Sequence, residues 1–252
     1  MKFRVIARLD IKKDKLIKGF HLEGLWLVGK PVERSLKYYR DGIDEVLLVD
    51  SVASLYQRNN LTHIIESICK DIHVPVTVGG GIRSVNDAVK IFDAGADKIA
   101  VNTEAIKNPL LLTELCNHFG AQAVVLSVQA KSAFNNSREW HVMTDNGREN
   151  THRSVLKWIK EAYLFGFGEI LLTSIDQEGT GSNYDLELLE SVRKVVNVPI
   201  LASGGFGHPS HALDCYQLGI DAVVLAGHLH YDYTSVNLLK TYLSSNNVPV
   251  RV

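Results

Sequence analysis

The chain has 252 residues, of which 46% are hydrophobic, and its formal net charge at pH 7 is −1. This composition is ample for a large core, and the near-zero charge offers no field that would attract nucleic acid or an anionic membrane. The opening residues MKFRVIARLD hold too short an apolar run for a signal peptide, and no stretch approaches the roughly 20 apolar residues of a membrane span. Three separated cysteines, Cys69, Cys116 and Cys215, are typical of free thiols in a reducing compartment. We therefore expect a soluble cytoplasmic protein.

Short apolar runs rich in β-branched residues recur along the chain, and each is followed by a stretch of helical character. In chain order they are RVIARLD (4–10), EVLLVD (45–50), VPVTVGG (74–80), DKIAVN (97–102), AVVLSVQ (123–129), EILLTS (169–174), VPILASGG (198–205) and DAVVLAG (221–227). Nearly continuous apolar strands alternating with helices are typical of a parallel sheet covered by helices. Eight such units predict a (β/α)8 TIM barrel, as a single domain over residues 1–252.

The second half of the sequence resembles the first. Gly81 and Gly205 lie in similar glycine-rich segments, and the interval between them is 124 residues. The same interval separates Glu45 from Glu169 and Asp97 from Asp221. This repeat predicts two (β/α)4 halves that close one barrel. A doubly wound open sheet is the alternative, although it would not need such symmetry. The longest polar stretch, residues 132–150, predicts a hairpin or a flexible loop after the fifth strand.

Glycine-rich turns end the third and seventh predicted strands, as GGGIRS (79–84) and SGGFGH (203–208). Glycines let the backbone approach a ligand and turn N–H groups toward it, and the following helix start adds a partial positive charge that suits phosphate. The fourth and eighth strands end alongside, in VNT (101–103) and LAG (225–227). One such turn alone could be a tight connection without a ligand. Two symmetric turns at one barrel mouth predict a substrate with a phosphate at each end.

The segments RLDIK…KG, TVGGGIRS, GADKIAVNT, GEILLTSIDQEGT, YDLELL and ASGGFG together identify a family. In their order and spacing the chain resembles, over essentially its whole length, the cyclase subunit of imidazole glycerol phosphate synthase. The resemblance implies an ammonia-dependent lyase/cyclase reaction of histidine biosynthesis, in which a bis-phosphorylated ribulosyl aminoimidazole carboxamide becomes imidazole glycerol phosphate. It also implies a glutaminase, a class I glutamine amidotransferase subunit, that forms a heterodimer with the chain and supplies the ammonia. No cofactor is implied.

The resemblance carries site residues over to this chain. Asp10 matches a catalytic carboxylate at the end of the first strand, where it can gain and lose protons. Lys18 and Gly19 match a mobile first loop that closes over substrate, and Asp176 matches a substrate-positioning residue. The phosphate sites are matched by Gly81, Asn102 and Thr103 on one side and by Gly179, Gly204, Gly205, Ala226 and Gly227 on the other. The family usually has serine where this chain has Gly227, so one hydroxyl is missing from the second site.

A different set of charged residues begins four of the predicted strands: Arg4, Glu45, Lys98 and Glu169. Because parallel strands start at the same end of a barrel, we expect these four at the N-terminal mouth, where two cations and two anions can pair. Scattered salt bridges would be the simpler interpretation. The resemblance implies a charged ring that gates the ammonia path, with Asp97 beside it at the partner interface.

Gln129 stands where the family has its second catalytic aspartate, at the end of the fifth strand. An amide cannot act as a general acid or base, and such a group typically contributes roughly 10² to 10⁴ in rate. Three interpretations stay open. The chain is a cyclase that relies on Asp10 or Asp176, or a paralogue that delivers ammonia to amidino-sugar formation in surface polysaccharide (lipopolysaccharide O-antigen) synthesis, or an engineered or naturally inactive scaffold. A non-enzyme alternative is a phosphosugar-sensing barrel that activates a glutaminase.

The histidine pairs His208/His211 and His228/His230 lack a third ligand, so no metal site is predicted. No basic stripe with interleaved aromatic residues indicates a nucleic-acid partner.

Overall fold

The computed structural model describes residues 2–53, 61–133 and 138–251. Within these ranges the strands are β1 (Arg4–Lys12), β2 (Lys15–Phe20), β3 (Glu23–Gly29), β4 (Glu45–Asp50), β5 (Val76–Gly79), β6 (Lys98–Val101), β7 (Val124–Ser132), β8 (Trp140–Thr144), β9 (Glu149–Ser154), β10 (Glu169–Ser174), β11 (Ile200–Ser203) and β12 (Ala222–Leu225). The helices are α1 (Pro31–Arg40), α2 (Thr62–Cys69), α3 (Val85–Asp93), α4 (Thr103–Lys107), α5 (Leu110–Phe119), α6 (Val155–Tyr163), α7 (Leu186–Arg193), α8 (Pro209–Gln217), α9 (Gly227–His230) and α10 (Val236–Ser245).

Eight of the strands are parallel and form a closed barrel. Strands β1, β4, β5, β6, β7, β10, β11 and β12 pair in that order. The last of them returns to the first, since β12 pairs in parallel with β1 from Arg4↔Ala222 to Ala7↔Leu225. This closure confirms the predicted (β/α)8 TIM barrel and excludes the open doubly wound sheet, in which the edge strands would stay unpaired.

The two halves of the barrel repeat each other in hydrogen-bonding detail. The carboxylate of Asp97 accepts a 2.8 Å hydrogen bond from the backbone N–H of Val76, and that of Asp221 accepts one of 2.9 Å from Ile200. Each aspartate lies directly before one barrel strand and accepts a hydrogen bond from the first N–H of the barrel strand before it in the chain. The two aspartates are separated by the 124 residues of the sequence repeat. The glycine-rich turns repeat as well, with φ of 96° at Gly80 and 92° at Gly204.

Two antiparallel hairpins extend the C-terminal mouth, where the carboxyl ends of the barrel strands lie. Strands β2 and β3 form the first, and β8 and β9 form the second by extending β7. The polar stretch at 132–150 therefore contains a hairpin, as one of the two expectations had it, while its residues 134–137 lie outside the described ranges. The first hairpin packs onto the loop after β10, since the His21 N–H donates to the Glu178 carbonyl at 2.9 Å.

The core has two parts, as expected when a sheet closes on itself beneath helices. The larger part lies between the strands and the surrounding helices. The smaller part fills the barrel interior with Ile6, Leu47, Ala100, Val125, Leu171, Leu201, Ala222 and Val224. No helix in the described ranges is long and apolar enough to cross a bilayer.

Candidate active site

Four charged side chains close the N-terminal mouth of the barrel as a ring of alternating sign. Arg4 contacts Glu45 at 3.0 Å and Glu169 at 2.8 Å. Lys98 contacts the same two carboxylates at 2.9 and 2.8 Å. Glu45 is 1% exposed and also accepts a 2.6 Å hydrogen bond from the Thr77 hydroxyl. The sequence predicted that these residues would meet at this mouth, and the structure places them in mutual contact with their charges fully paired.

Asp97 lies at the same mouth, immediately before Lys98, and is exposed. Its carboxylate accepts the hydrogen bond from Val76, so part of its role is to cap a strand.

An apolar layer separates this ring from the C-terminal mouth. It consists of the inward-facing residues of the smaller core, four of which follow the ring residues by two positions along their strands: Ile6, Leu47, Ala100 and Leu171. Alternation along a strand explains the layering, because every second residue points into the barrel. A neutral molecule that entered through the ring would therefore pass apolar side chains before reaching the other mouth.

Arg8 and Asp10 form a buried ion pair in the next layer. The Arg8 Nε lies 2.9 Å from the Asp10 carboxylate, and the two residues are 2% and 5% exposed. The Arg8 guanidinium also reaches across the barrel, to within 3.4 Å of the Thr173 hydroxyl on β10 and 3.3 Å of the Ser203 hydroxyl on β11. Burial alone would lower the pKa of Arg8, but the charges of Asp10 and Glu178 raise it above its usual value. The carboxylate predicted to be catalytic is thus tied to a cation that the sequence analysis did not single out.

Gln129 occupies on β7 the position that Asp10 occupies on β1. On β1, Ile6 is in register with Glu45, and Asp10 lies four residues beyond Ile6. On β7, Val125 is in register with Glu169, and Gln129 lies four residues beyond Val125. Gln129 is 7% exposed, and its side-chain oxygen is buried without a hydrogen-bond partner. An unpaired buried acceptor is costly, so Gln129 is a polar residue whose hydrogen bonding the protein alone does not satisfy.

The first glycine-rich turn lines a pocket at the C-terminal mouth together with Gln129. A Cβ at Gly80 would lie 2.4 Å from the Asp50 carbonyl oxygen, so only glycine fits there. The predicted residues Gly81, Asn102 and Thr103 all line this pocket, as do the basic side chains Arg83 and Lys107. The Thr103 hydroxyl accepts a 3.1 Å hydrogen bond from the backbone N–H of Asp145, which brings the second hairpin to the pocket.

The second glycine-rich turn lines another pocket of comparable size. The two pockets enclose about 760 and about 870 Å³ of empty space, including space open to solvent. The predicted residues at the second pocket are Lys18, Gly19, Gly179, Gly204, Gly205, Ala226 and Gly227. A Cβ at Gly205 would lie 1.9 Å from the Asn183 carbonyl oxygen, which makes this turn the tighter of the two. Arg8 also lines the second pocket.

Lys18 is 5% exposed and forms an ion pair with Glu178, which is 4% exposed. We expected Lys18 in a mobile loop, but the structure places it in a paired strand, buried at the edge of the second pocket. Burial alone would raise the pKa of Glu178, yet the nearby cations Lys18 and Arg8 lower it below its usual value. Glu178 was missed in the sequence, where its signal is an acidic residue directly before Gly179.

Asp176, by contrast, lies away from the second pocket's described lining. Its carboxylate accepts a 2.7 Å hydrogen bond from the backbone N–H of Ser132, at the end of β7. In this geometry Asp176 connects the β10 loop to β7, and Glu178 is the acidic residue of that loop that faces the pocket.

No group of three or more histidine, cysteine, aspartate or glutamate side chains within residues 2–53, 61–133 and 138–251 could hold a metal ion. His208 accepts a hydrogen bond from the Ser210 N–H and begins α8, and His230 contacts the Tyr38 hydroxyl at 2.7 Å. Both histidines therefore have structural partners.

The chain is similar to known proteins along its whole length. A family model described as "Histidine biosynthesis protein" matches residues 4–235. Imidazole glycerol phosphate synthase subunit HisF of Legionella pneumophila is 54% identical over 204 residues, which cover 81% of this chain and 95% of that protein. The HisF subunits of Helicobacter hepaticus and Pyrococcus furiosus are 42% and 40% identical over 249 residues, which cover 99% of this chain and 98% of each relative. The chain therefore belongs to the family of HisF cyclase subunits, enzymes of the lyase/cyclase type found in imidazole glycerol phosphate synthase.

Proposed function

We propose that this protein is the ammonia-using subunit of a two-subunit glutamine amidotransferase. A glutaminase docks at the N-terminal mouth, beside Asp97, and ammonia passes the ring formed by Arg4, Glu45, Lys98 and Glu169. The acceptor, bound at the C-terminal mouth, is a bis-phosphorylated ribulosyl aminoimidazole carboxamide, and the product is imidazole glycerol phosphate.

One observation carries this proposal: a single barrel axis joins a charged ring, an apolar layer and a polar mouth. Ammonia is neutral and small, so an apolar interior favours it over ammonium, which loses hydration there. The ring seals the axis against ions while its charges stay paired, and it opens only if its four contacts rearrange.

The two glycine-rich turns support the choice of a two-phosphate substrate. They occupy equivalent places in the two barrel halves and line separate pockets at the same mouth. Positive φ at Gly81 (74°) and Gly205 (107°) turns backbone N–H groups in a way that suits an anion. Arg83 and Lys107 place cationic side chains at the first pocket. Arg8 and Lys18 place them at the second, where each is paired with a carboxylate. A substrate with a phosphate at each end would span the mouth above Asp10.

Within this site Asp10 accepts and returns protons, and Arg8 positions it. The Arg8 Nε hydrogen bond fixes the orientation of the carboxylate relative to the barrel axis, along which ammonia arrives.

Two measurements test the proposal. Free ammonium salt should support conversion of the aminoimidazole substrate by the isolated chain, and Gln129→Asp should raise the rate. Inorganic phosphate soaked into crystals should bind near Gly81 and Thr103 and near Gly205 and Gly227. Turnover with ammonium would exclude a barrel that only senses phosphosugars. If neither protein turns over and neither turn binds phosphate, the proposal is wrong.

A second candidate is an amidotransferase that delivers ammonia to another acceptor, such as an amidino-sugar precursor of surface polysaccharide. Gln129 and the Arg8–Asp10 pair favour it, because together they leave neither equivalent strand end with an unpaired carboxylate. Phosphate binding at both turns, combined with no turnover of the aminoimidazole substrate by wild type or Gln129→Asp, would support this candidate.

A further inference from the structure

Four large aromatic side chains from two separate segments of the chain stand exposed around the second pocket. They all line it, and their exposed fractions are 53% for Phe20, 72% for Trp26, 45% for Tyr231 and 73% for Tyr233. Single exposed apolar residues are common on protein surfaces, but a cluster of them around one pocket marks a binding site. We call these four residues the aromatic rim. Neither the resemblance nor the proposed function gives them a role.

Strand pairing fixes which way Trp26 points. Trp26 on β3 is the cross-strand partner of Lys18 on β2, and residues directly opposite each other in an antiparallel pair have their side chains on the same face. Lys18 lies on the pocket side of the hairpin, where its Cε would be 3.4 Å from a Cβ at Gly227. The indole of Trp26 therefore belongs to the face of the hairpin that borders the pocket. Leu27, the next residue, is opposite Ile17 and belongs to the other face.

The other half of the aromatic rim follows α9. The rings of Tyr231 and Tyr233 have centroids 6.0 Å apart and are tilted by 38°, and the Tyr233 ring lies 5.5 Å from that of His228. His228 lines the same pocket. Burial lowers the pKa of His228 below its usual value, so its ring is neutral at pH 7. This side of the pocket thus offers a ligand neutral aromatic surface and no charge.

The floor of the pocket is polar. It contains the glycine-rich turn at Gly204 and Gly205, the Ser203 hydroxyl and the cationic side chains of Arg8 and Lys18. Arg8 and Lys18 are 2% and 5% exposed, whereas each side chain of the aromatic rim is at least 45% exposed, so the polar groups lie deep and the rings lie at the surface. A ligand that matches both levels carries an anion at one end and a flat ring at the other.

The first pocket lacks such a rim. It has an equivalent glycine-rich turn, but none of the described residues that line it is phenylalanine, tyrosine or tryptophan. The aromatic rim is therefore not a requirement of binding phosphate at such a turn. It distinguishes the part of a ligand held at the second pocket from the part held at the first.

We propose that the second pocket binds a nucleoside phosphate, with the phosphate at the turn of Gly204 and Gly205 and the base against Trp26. A nucleobase is flat and stacks on aromatic side chains whatever its hydrogen-bonding edge. Its phosphate is the anion that the turn suits. The inference rests on the proposed function for the phosphate at the turn. It deepens the second candidate, because the ammonia acceptor would then be a nucleotide-linked compound.

The test compares ligands that differ in the base. AMP, UMP and ribose 5-phosphate share the phosphate and the ribose, and titration calorimetry measures the dissociation constant of each. We expect wild type to bind AMP or UMP at least about tenfold more tightly than ribose 5-phosphate, as one base stacked on an aromatic side chain would give. Trp26→Ala should abolish this preference without changing the affinity for ribose 5-phosphate. Trp26→Phe keeps a ring and should retain the preference, and so should Leu27→Ala, the matched control on the other face.

Each other outcome overturns the inference. Equal affinities for the three ligands would show that the aromatic rim contacts no base, while the phosphate site of the proposed function would stand. A preference for AMP or UMP that persists in Trp26→Ala would place the base away from the rim. Equal loss of the preference in Trp26→Ala and Leu27→Ala would show displacement of the hairpin and not stacking. If none of the three ligands binds, the inference is wrong, and the assay with ammonium salt described above decides separately on the proposed function.

Discussion

Arg8 and Asp10 are two residues apart on β1, and both point into the barrel, where the Nε of one lies 2.9 Å from the carboxylate of the other. Strand alternation places them on the same face, so the pair forms within one strand and needs no neighbour to position it. The pair is almost fully buried, which makes each charge depend on the other.

We expect this mutual dependence to be measurable as a coupling free energy between Arg8 and Asp10. Arg8→Met leaves the Asp10 carboxylate buried without its paired cation, and Asp10→Asn leaves the guanidinium without its hydrogen-bonded anion. Each single change should lower the free energy of unfolding by about 3–5 kcal/mol, whereas the double variant should lose far less than the sum. Urea denaturation of the four proteins measures this. Additivity within about 0.5 kcal/mol would contradict a coupled pair.

We expect a substitution in the ring at the N-terminal mouth to lower the stability of the protein without changing its KM for the substrate. Glu45→Gln removes the anion that Arg4, Lys98 and Thr77 share, and should cost about 3–5 kcal/mol because two cations then depend on Glu169. Thr77→Val, the matched control, removes one hydrogen bond and should cost about 1 kcal/mol. With free ammonium salt, folded Glu45→Gln should keep the wild-type KM for the substrate, since the substrate pockets lie at the opposite mouth. A large rise in that KM would place the ring in the substrate site.

The barrel could be predicted because its signal is distributed along the chain. Eight apolar strands and a repeat of 124 residues need no knowledge of side-chain contacts, and β12 indeed pairs with β1. The ring could be predicted for the same reason: residues that begin parallel strands share one end of the barrel. At that shared end Arg4 on β1 contacts Glu45 on the neighbouring strand β4 and Glu169 on β10, which does not pair with β1.

Contacts between loops could not be predicted from the sequence in the same way. The resemblance implies that Lys18 lies in a mobile loop that closes over substrate, yet Lys18 is buried against Glu178, about 160 residues later in the chain. Nothing local in either segment specifies that contact, since it depends on how the first hairpin packs on the β10 loop. Asp176 and Glu178 illustrate the same limit. Both acids are close together in sequence, and only the path of the backbone decides which one faces the pocket.

The glycine-rich turns give a prediction with a matched control. Gly205 and Gly42 both have positive φ, at 107° and 88°, but only the Cβ at Gly205 would meet another atom, the Asn183 carbonyl oxygen at 1.9 Å. Gly42→Ala should therefore cost only the backbone strain, about 1–2 kcal/mol. Gly205→Ala should cost more than about 4 kcal/mol or prevent folding, as measured by urea denaturation and soluble yield. Equal effects at the two positions would mean that the second turn tolerates displacement.

His230 predicts a pH dependence of stability. Burial first, and then the charges of Lys18 and Arg34, lower the pKa of this histidine to about 3. Its pKa in the unfolded chain is about 6.5, so between these values the unfolded state binds a proton that the folded state does not. The free energy of unfolding should therefore fall as the pH falls, and His230 should contribute a loss of about 2 kcal/mol between pH 7 and pH 5.

His230→Gln removes this proton and should flatten the pH dependence by that amount, although the loss of the 2.7 Å contact with Tyr38 lowers stability at every pH. The comparison is therefore between the two slopes and not between the two stabilities. Urea denaturation at pH 7, 6 and 5 measures both slopes above the range in which exposed carboxylates titrate. Parallel pH profiles for wild type and His230→Gln would show that the folded protein accommodates the imidazolium, because a proton that binds both states equally cannot change the free energy between them.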